Sequence, residues 1–285
     1  AALIDKHPVL RGRIVDDSDL PLMVCDSNPV IEEIDHNDYE SLIRPFNLTE
    51  SLCRFYINDD EKVIFYDMHH MISDATSGSV INRDILAALD GSLDEEIDLG
   101  FVYASNDSYN SKFEPIYESA QEFFNNLFAD IDEVNTILDD LDGTSEILSL
   151  PVRGIRDRVE EFVFENGITV GALLNSIFAY TYSRFVGSDK VYYTFTEHGR
   201  HEEYNNDALG MYVRTIPLLV DCKDDSVESF VSYFSDLNLN SMVNSVYPFR
   251  LLASEYDLNN DLNNLRNEEN IEIEKILQKL SSLFF

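Results

Sequence analysis

The stretch Glu61–Ser77, EKVIFYDMHHMISDATS, constrains this chain more than any other. Val63, Ile64, Phe65 and Tyr66 form an apolar, β-branched and aromatic run behind a charged turn, the composition of a buried strand. The strand delivers His69 and His70 side by side, and Asp74 comes four residues after the second histidine. Neighbouring side chains on a strand point to opposite faces, so one of the two histidines lines a given cavity and the other is held behind it. Ser73, Asp74, Thr76 and Ser77 are residues that cap helices, and they predict a helix over roughly Ser77–Leu89.

An imidazole titrates near neutrality and takes a proton from an attacking amine or hydroxyl, so the pair suits acid/base chemistry. The plain structural alternative is a strand-to-helix turn with two packed histidines and a capping aspartate. A metal centre built from His69, His70 and Asp74 is disfavoured, because alternate faces do not converge on one ion and no further His or Cys pair is spaced to help. No metal is expected.

A chain of 285 residues exceeds the size at which one core usually keeps growing. Two lobes are therefore expected, residues 1–140 and 150–285, joined by the acidic stretch Asp130–Ser149 with Gly143. The net charge of −34, from 54 acidic and 20 basic residues, repels phosphate-rich partners. It excludes nucleic acid and anionic membrane surfaces, and it argues against a docking groove for coenzyme A. No apolar run approaches the roughly 20 residues that span a bilayer. Cys25, Cys53 and Cys222 are scattered, as in a reducing compartment, and a cytoplasmic location is expected.

Taken in order, Ala1–His7 reads as the end of a helix stopped by Pro8, and LRGRIV up to Val15 as a strand with Arg11 and Arg13 on one face. One or two strands are expected in Leu22–Ile34, and another in Leu52–Ile57, with Asp59 and Asp60 turning the chain into the histidine strand. Ser111–Leu127 reads as an amphipathic helix with an aromatic stripe, taken as core. Further on, the pattern predicts a strand over Val159–Phe164, a buried helix over Thr169–Phe185 ended by Gly187, and a strand over Lys190–Thr196. A strand Ile216–Val220, a helix Val227–Val243 and a final apolar helix after Asn260 complete the reading.

MHHMISDATS, Met68–Ser77, resembles the MHHxISDGxS signature of the condensation domains of nonribosomal peptide synthetases, relatives of chloramphenicol acetyltransferase. KHPVLRGRI (Lys6–Ile14) is similar to the family's RHExLRTxF, LGMYVRTIP (Leu209–Pro217) to IGxFVNTxP, and VYPFRL (Val246–Leu251) to DYPFE. RPFNL, Arg44–Leu48, is similar to PFDL, and GSDK (Gly187–Lys190) precedes a segment ending in Gly199 and Arg200 as in the family. The matches fall in the family's order. An earlier family motif is absent and the tail departs from the expected strand, so the chain is expected to be a domain cut at both ends.

The resemblance implies a two-lobed α/β chloramphenicol-acetyltransferase-like fold with the active site between the lobes. It implies an acyltransferase that joins a carrier-bound acyl or peptidyl thioester to the amine of a carrier-bound aminoacyl thioester. His70 is then the base or the group that positions the amine, His69 is packed behind it, and Asp74 is structural, paired with Arg11 or Lys6. Ala75, Ser77 and Arg214 line the site, Ala75 standing where the family has glycine and Arg214 where it usually has asparagine. No cofactor is bound directly, since phosphopantetheine arms come with the carrier proteins. The implied partners are upstream and downstream peptidyl carrier proteins and an adjacent adenylation domain. Two alternatives are a free-standing acyltransferase of the same superfamily using acyl-coenzyme A, and a non-catalytic scaffold segment of a larger synthetase.

Overall fold

The computed structural model describes residues 2–15, 21–129, 131, 153–223 and 226–259, with side chains through 256. The chain forms two compact units, and the divide is not a single cut between 140 and 150. The first unit is 1–110 together with 198–213; the second is 111–197 together with 214–285. The segment 198–213 thus leaves the second half of the sequence to complete the first unit. The acidic stretch expected as a linker and the helix expected after Asn260 lie almost wholly outside the described residues.

In the first unit, α1 (Ala2–Lys6) runs into Pro8, which opens a single 3-10 turn, Pro8–Arg11. The expected strand LRGRIV is therefore only Arg13–Val15, β1, paired antiparallel with β2 (Leu22–Val24). A proline at the start of a turn fixes φ where the turn needs it, and Gly12 then closes the turn with its N–H on the Val9 carbonyl. Arg11 and Arg13 accordingly do not share a strand face. β3 (Val30–Glu33) runs parallel to β4 (Cys53–Asn58), and β4 runs antiparallel to β5 (Val63–Met68), with Cys53 opposite Met68 and Asn58 opposite Val63. Asn58 closes the β4–β5 turn by accepting the Glu61 N–H on its side chain, and Lys62 takes the left-handed conformation at φ 57°.

α2 (Ala75–Asp90) begins just past the histidines and ends at Gly91, whose φ of 80° suits a residue without a Cβ. Its buried residues Ser77, Val80, Ile81 and Asp84 fall on one face at helical spacing. Val80 and Ile81 meet Leu10, Leu52, Phe55, Ile72 and Leu209 in the core of this unit. The same face carries two polar groups, Ser77 and Asp84, into buried surroundings. α3 (Gly100–Ser111) follows an acidic loop; no periodic apolar face announced it.

In the second unit, the helix expected from Ser111 begins only at Pro115, α4 (Pro115–Leu127), and Phe113 stands exposed before it. The expected strand Val159–Phe164 is instead a helix, α5 (Arg156–Asn166). Arg156 pairs with Glu160 one turn on, and Gly167 ends the helix at φ 64°; these helix signals outweigh the short apolar run. α6 (Val170–Val186) is capped by Thr169 and stopped by Gly187, as expected. Only one of its faces is buried, however. Ala172, Leu173, Ser176, Ala179 and Ser183 pack inward, whereas Leu174, Ile177, Tyr180 and Phe185 are exposed.

β6 (Lys190–Glu197) and β7 (Arg214–Asp221) form an antiparallel pair, with α7 (Val227–Val243) and α8 (Phe249–Asn259) following. The period of two in a strand feeds two cores. Val191, Tyr193, Leu218 and Val220 meet Phe230 and Phe234 of α7 on one face. Leu219 and Tyr192 meet Phe124, Phe128, Tyr247 and Leu252 on the other. Among the described residues no single helix is long and apolar enough to cross a membrane.

Candidate active site

β5 ends at Met68, so the two histidines lie in the corner beyond it and strand alternation does not decide their directions. His69 is extended (φ −65°, ψ 139°) and caps the 3-10 turn His70–Ile72 by accepting the Met71 N–H on Nδ1 at 3.1 Å. Its ring meets Phe46 edge-on with centroids 5.7 Å apart. Partial burial, and then the neighbouring His70, push the His69 pKa down, against a smaller pull from Asp67, and so favour the neutral ring. His69 is thus held within the corner. His70 opens the turn and is exposed.

Four residues on, Asp74 caps α2. Its Oδ1 accepts from the Ser77 N–H at 2.8 Å, and the Ser77 hydroxyl lies 3.0 Å from the same oxygen. The Arg200 guanidinium donates through Nη2 to Oδ1 at 2.8 Å and Oδ2 at 3.1 Å, and the Tyr212 N–H reaches Oδ2 at 3.2 Å. Both side chains are almost fully enclosed, Arg200 being 4% and Asp74 1% exposed. Burial alone raises a carboxyl pKa. Here the Arg200 hydrogen bond and charge and the Ser77 and Tyr212 amides outweigh it and hold Asp74 below the usual carboxylate range. Asp74 is therefore a committed anion with no acceptor capacity to spare for a substrate proton.

The partner of Asp74 is a correction to the sequence reading. Neither Arg11 nor Lys6 reaches it. Arg11 sits in the 3-10 turn and donates from Nε to the Ser27 carbonyl at 3.2 Å. Lys6, on α1, lies 2.5 Å from Asp94 and 3.4 Å from Asp84. Arg200 instead comes from the returning segment, 126 residues away in sequence. A local turn aims it: the Arg200 N–H donates to His198 Nδ1 at 3.0 Å, while Nη1 donates to the carbonyls of Asn205 and Ala208. The guanidinium also lies over the Tyr212 ring, 4.2 Å from its centroid. Arg200 was visible in the sequence only as the end of the GR segment, with no role attached.

Ser77 is buried and does not line an open cavity. Its Oγ lies 2.9 Å from the Gly210 carbonyl and accepts the Gly210 N–H at 3.2 Å, so it joins α2 to the returning segment. Ala75 is exposed at the start of α2, and its methyl group is not packed into the core. Arg214 belongs to the second unit, where it opens β7 and donates to Ser245 Oγ at 3.2 Å. His69, His70, Asp74 and Ser77 are thus gathered in one corner, with Arg200 and Tyr212 as partners the sequence reading had not assigned.

This corner, an HHxxxD turn with its aspartate locked by an arginine from a returning loop, can be set against known proteins. The family model described as Condensation domain matches residues 2–280. The chain belongs to the condensation domain family. Bacitracin synthase 1 of Bacillus licheniformis is 22% identical over 238 residues, a match that takes in 78% of this chain and 4% of the synthase. Gramicidin S synthase 2 of Brevibacillus brevis is 23% identical over 278 residues, 91% of this chain and 6% of the synthase. The first condensation domain of the calcium-dependent antibiotic synthetase, solved with a substrate analogue, is similar in fold at a TM-score of 0.65 and 15% identity. That match takes in 89% of this condensation domain and 67% of the solved chain. The chain therefore spans a small part of the synthases it matches. The mixed α/β architecture is the chloramphenicol-acetyltransferase-like fold of condensation domains from nonribosomal peptide synthetases, a family of acyltransferase-type enzymes that work alongside carrier and adenylation domains.

Proposed function

We propose that this condensation domain forms an amide bond between a carrier-bound acyl or peptidyl thioester and the amine of a carrier-bound aminoacyl thioester. The amine nitrogen attacks the thioester carbonyl, the new C–N bond forms and the C–S bond breaks. The proton shed by the amine ends on the departing thiolate. His70 is the residue that takes up this proton in transit or holds the amine in line for attack. Asp74 does neither, because Arg200, Ser77 and Tyr212 already saturate it. Its part is to fix the turn that presents His70.

The observation that carries this reading is the pairing of an exposed His70 with a rigid support. His70 is exposed on the corner, and the aspartate behind it is pinned by a buried ion pair. No cofactor is required in the domain itself, the phosphopantetheine arms arriving on the two carrier proteins, with an adenylation domain loading the acceptor. The test is a single-turnover assay of the full-length protein with loaded donor and acceptor carriers, comparing the parent with His70→Ala. The parent is expected to form the extended thioester and the variant to lose about a hundredfold in rate or more. Equal rates would remove His70 from the mechanism. No product from a folded parent across several donors would leave a scaffold role in its place.

A further inference from the structure

Outside the corner, a titratable side chain sits fully buried in the first unit. His7, between α1 and the 3-10 turn, is 0% exposed, and each of its ring nitrogens faces a carboxylate. Nε2 lies 2.9 Å from Asp84 Oδ2 on α2, and Nδ1 lies 2.8 Å from Asp98 Oδ2. Both carboxylates are otherwise engaged by donors. Asp84 Oδ1 accepts from Arg83 Nε at 2.8 Å, and its Oδ2 lies 3.4 Å from Lys6 Nζ. Asp98 Oδ1 accepts from the Gly100 N–H at 3.0 Å, and its Oδ2 also accepts from the Leu209 N–H at 2.8 Å. Two hydrogen bonds from one ring need two ring protons, whereas a neutral imidazole carries one. Burial opposes charge on Asp84, yet its bonds to Arg83 and His7 and the nearby Lys6 hold its carboxyl below the usual range. Arg83 and Lys6 face Asp84, and the Gly100 and Leu209 N–H groups face Asp98, so both carboxylates are placed as acceptors and the geometry puts the second proton on the ring.

The next link runs to the corner. Asp98 holds Leu209, the following residue Gly210 bonds Ser77, and Tyr212 bonds Asp74. The packing around these contacts leaves no slack: a Cβ on Gly100 would stand 2.4 Å from Ala208 Cβ, and one on Gly210 2.7 Å from the Phe101 ring. Removing the ring would leave two buried carboxylates with their shared donor gone. Among the described residues, the other charges facing this cluster, Lys6, Arg83, Asp94 and Asp207, are already paired among themselves or with Asp84.

We propose that His7 is a buried, doubly protonated imidazole that bridges Asp84 and Asp98, and is thereby a positioning residue for the His70–Asp74 corner. It keeps Asp98 against α2, so that Leu209–Tyr212 stays seated on Ser77 and Asp74. The positioning part rests on the functional reading above; the bridge itself does not.

Two measurements on the 285-residue chain test it. Selective ¹⁵N-histidine labelling at neutral pH is expected to show one ring with both nitrogens protonated, and that signal vanishes in His7→Gln. Because the first spectrum is taken on the unmutated chain, it does not depend on the variant folding. Amide hydrogen exchange is then expected to speed up at least tenfold at Leu209, Gly210 and Tyr212 in His7→Gln, with Val191 and Val220 in the second unit unchanged. A ring singly protonated throughout, or exchange at the three amides that does not change, overturns the proposal. In the carrier assay, His7→Gln is expected to lower the rate at least tenfold while saturating at unchanged carrier concentration. An inactive parent that still shows the doubly protonated ring and the exchange effect would count against the reaction assigned above and not against the bridge.

Discussion

Replacing Arg200 by methionine keeps an unbranched apolar stem and removes the guanidinium that Asp74 faces and that lies over Tyr212. The remaining carboxylate would be 1% exposed in the parent geometry and would retain only its bonds from Ser77 and the Tyr212 amide. Breaking a buried pair from one side costs about 3–5 kcal/mol, because the survivor is a charge left without its counter-ion. Two backbone carbonyls, those of Asn205 and Ala208, lose a donor as well, which places the expected cost toward the upper part of that range. Against a typical stability of about 5–15 kcal/mol, such a loss is readily read from urea unfolding of the chain.

The size of the loss does not identify the cause, so a double-mutant cycle with Asp74→Asn is the sharper test. The two groups touch, and a coupling of about 2 kcal/mol is expected between them. A pH series adds the sign. The folded-state carboxyl of Asp74 is held below its unfolded value, so the stability it contributes is fully present above about pH 4 and is lost as pH falls through the depressed folded value. The gap between parent and Arg200→Met should therefore narrow on acidification below about pH 4. Additive effects in the cycle, or a gap that stays constant through pH 3, would refute the reasoning and return Arg200 to a packing role.

Three further outcomes follow from the same geometry. Arg11→Met and Lys6→Met, the two changes that the motif resemblance would have aimed at Asp74, should leave its coupling with Arg200 within about 0.5 kcal/mol in the same cycle, since neither side chain reaches it. Gly210→Ala should destabilise by about 1–3 kcal/mol in thermal or urea unfolding, because φ is 156° and the added methyl would meet Phe101 and Tyr212 at 2.7 and 2.9 Å. Ser77→Ala should cost about 1–3 kcal/mol by the same measure and speed amide exchange at Gly210, whose N–H would lose its buried acceptor.

What the sequence disclosed, and what it hid, divides along one physical line. Elements with their own local signals were legible: Thr169 and Gly187 bracket α6, β6 and β7 carry dense β-branched and aromatic runs, and Asp74 stands at the start of α2 as a cap. Val159–Phe164 misled because a short apolar run flanked by glutamates fits either period, and only the Arg156–Glu160 pair and Gly167 resolve it. α3 has no apolar stripe to betray it.

The partner of Asp74 was hidden for a different reason. Lys6 and Arg11 were favoured because they match the basic positions of the family segment that the resemblance pairs with the aspartate, yet the ion pair is chosen by the fold's closure. Pro8 turns the segment away, and the returning loop 198–213 brings Arg200 in from 126 residues beyond Asp74. The same closure assembles His7, Asp84, Asp98 and Leu209, four residues with no shared motif. Motif order in this chain thus locates the histidine turn and its capping aspartate, while the charge that holds that aspartate comes from wherever the chain returns.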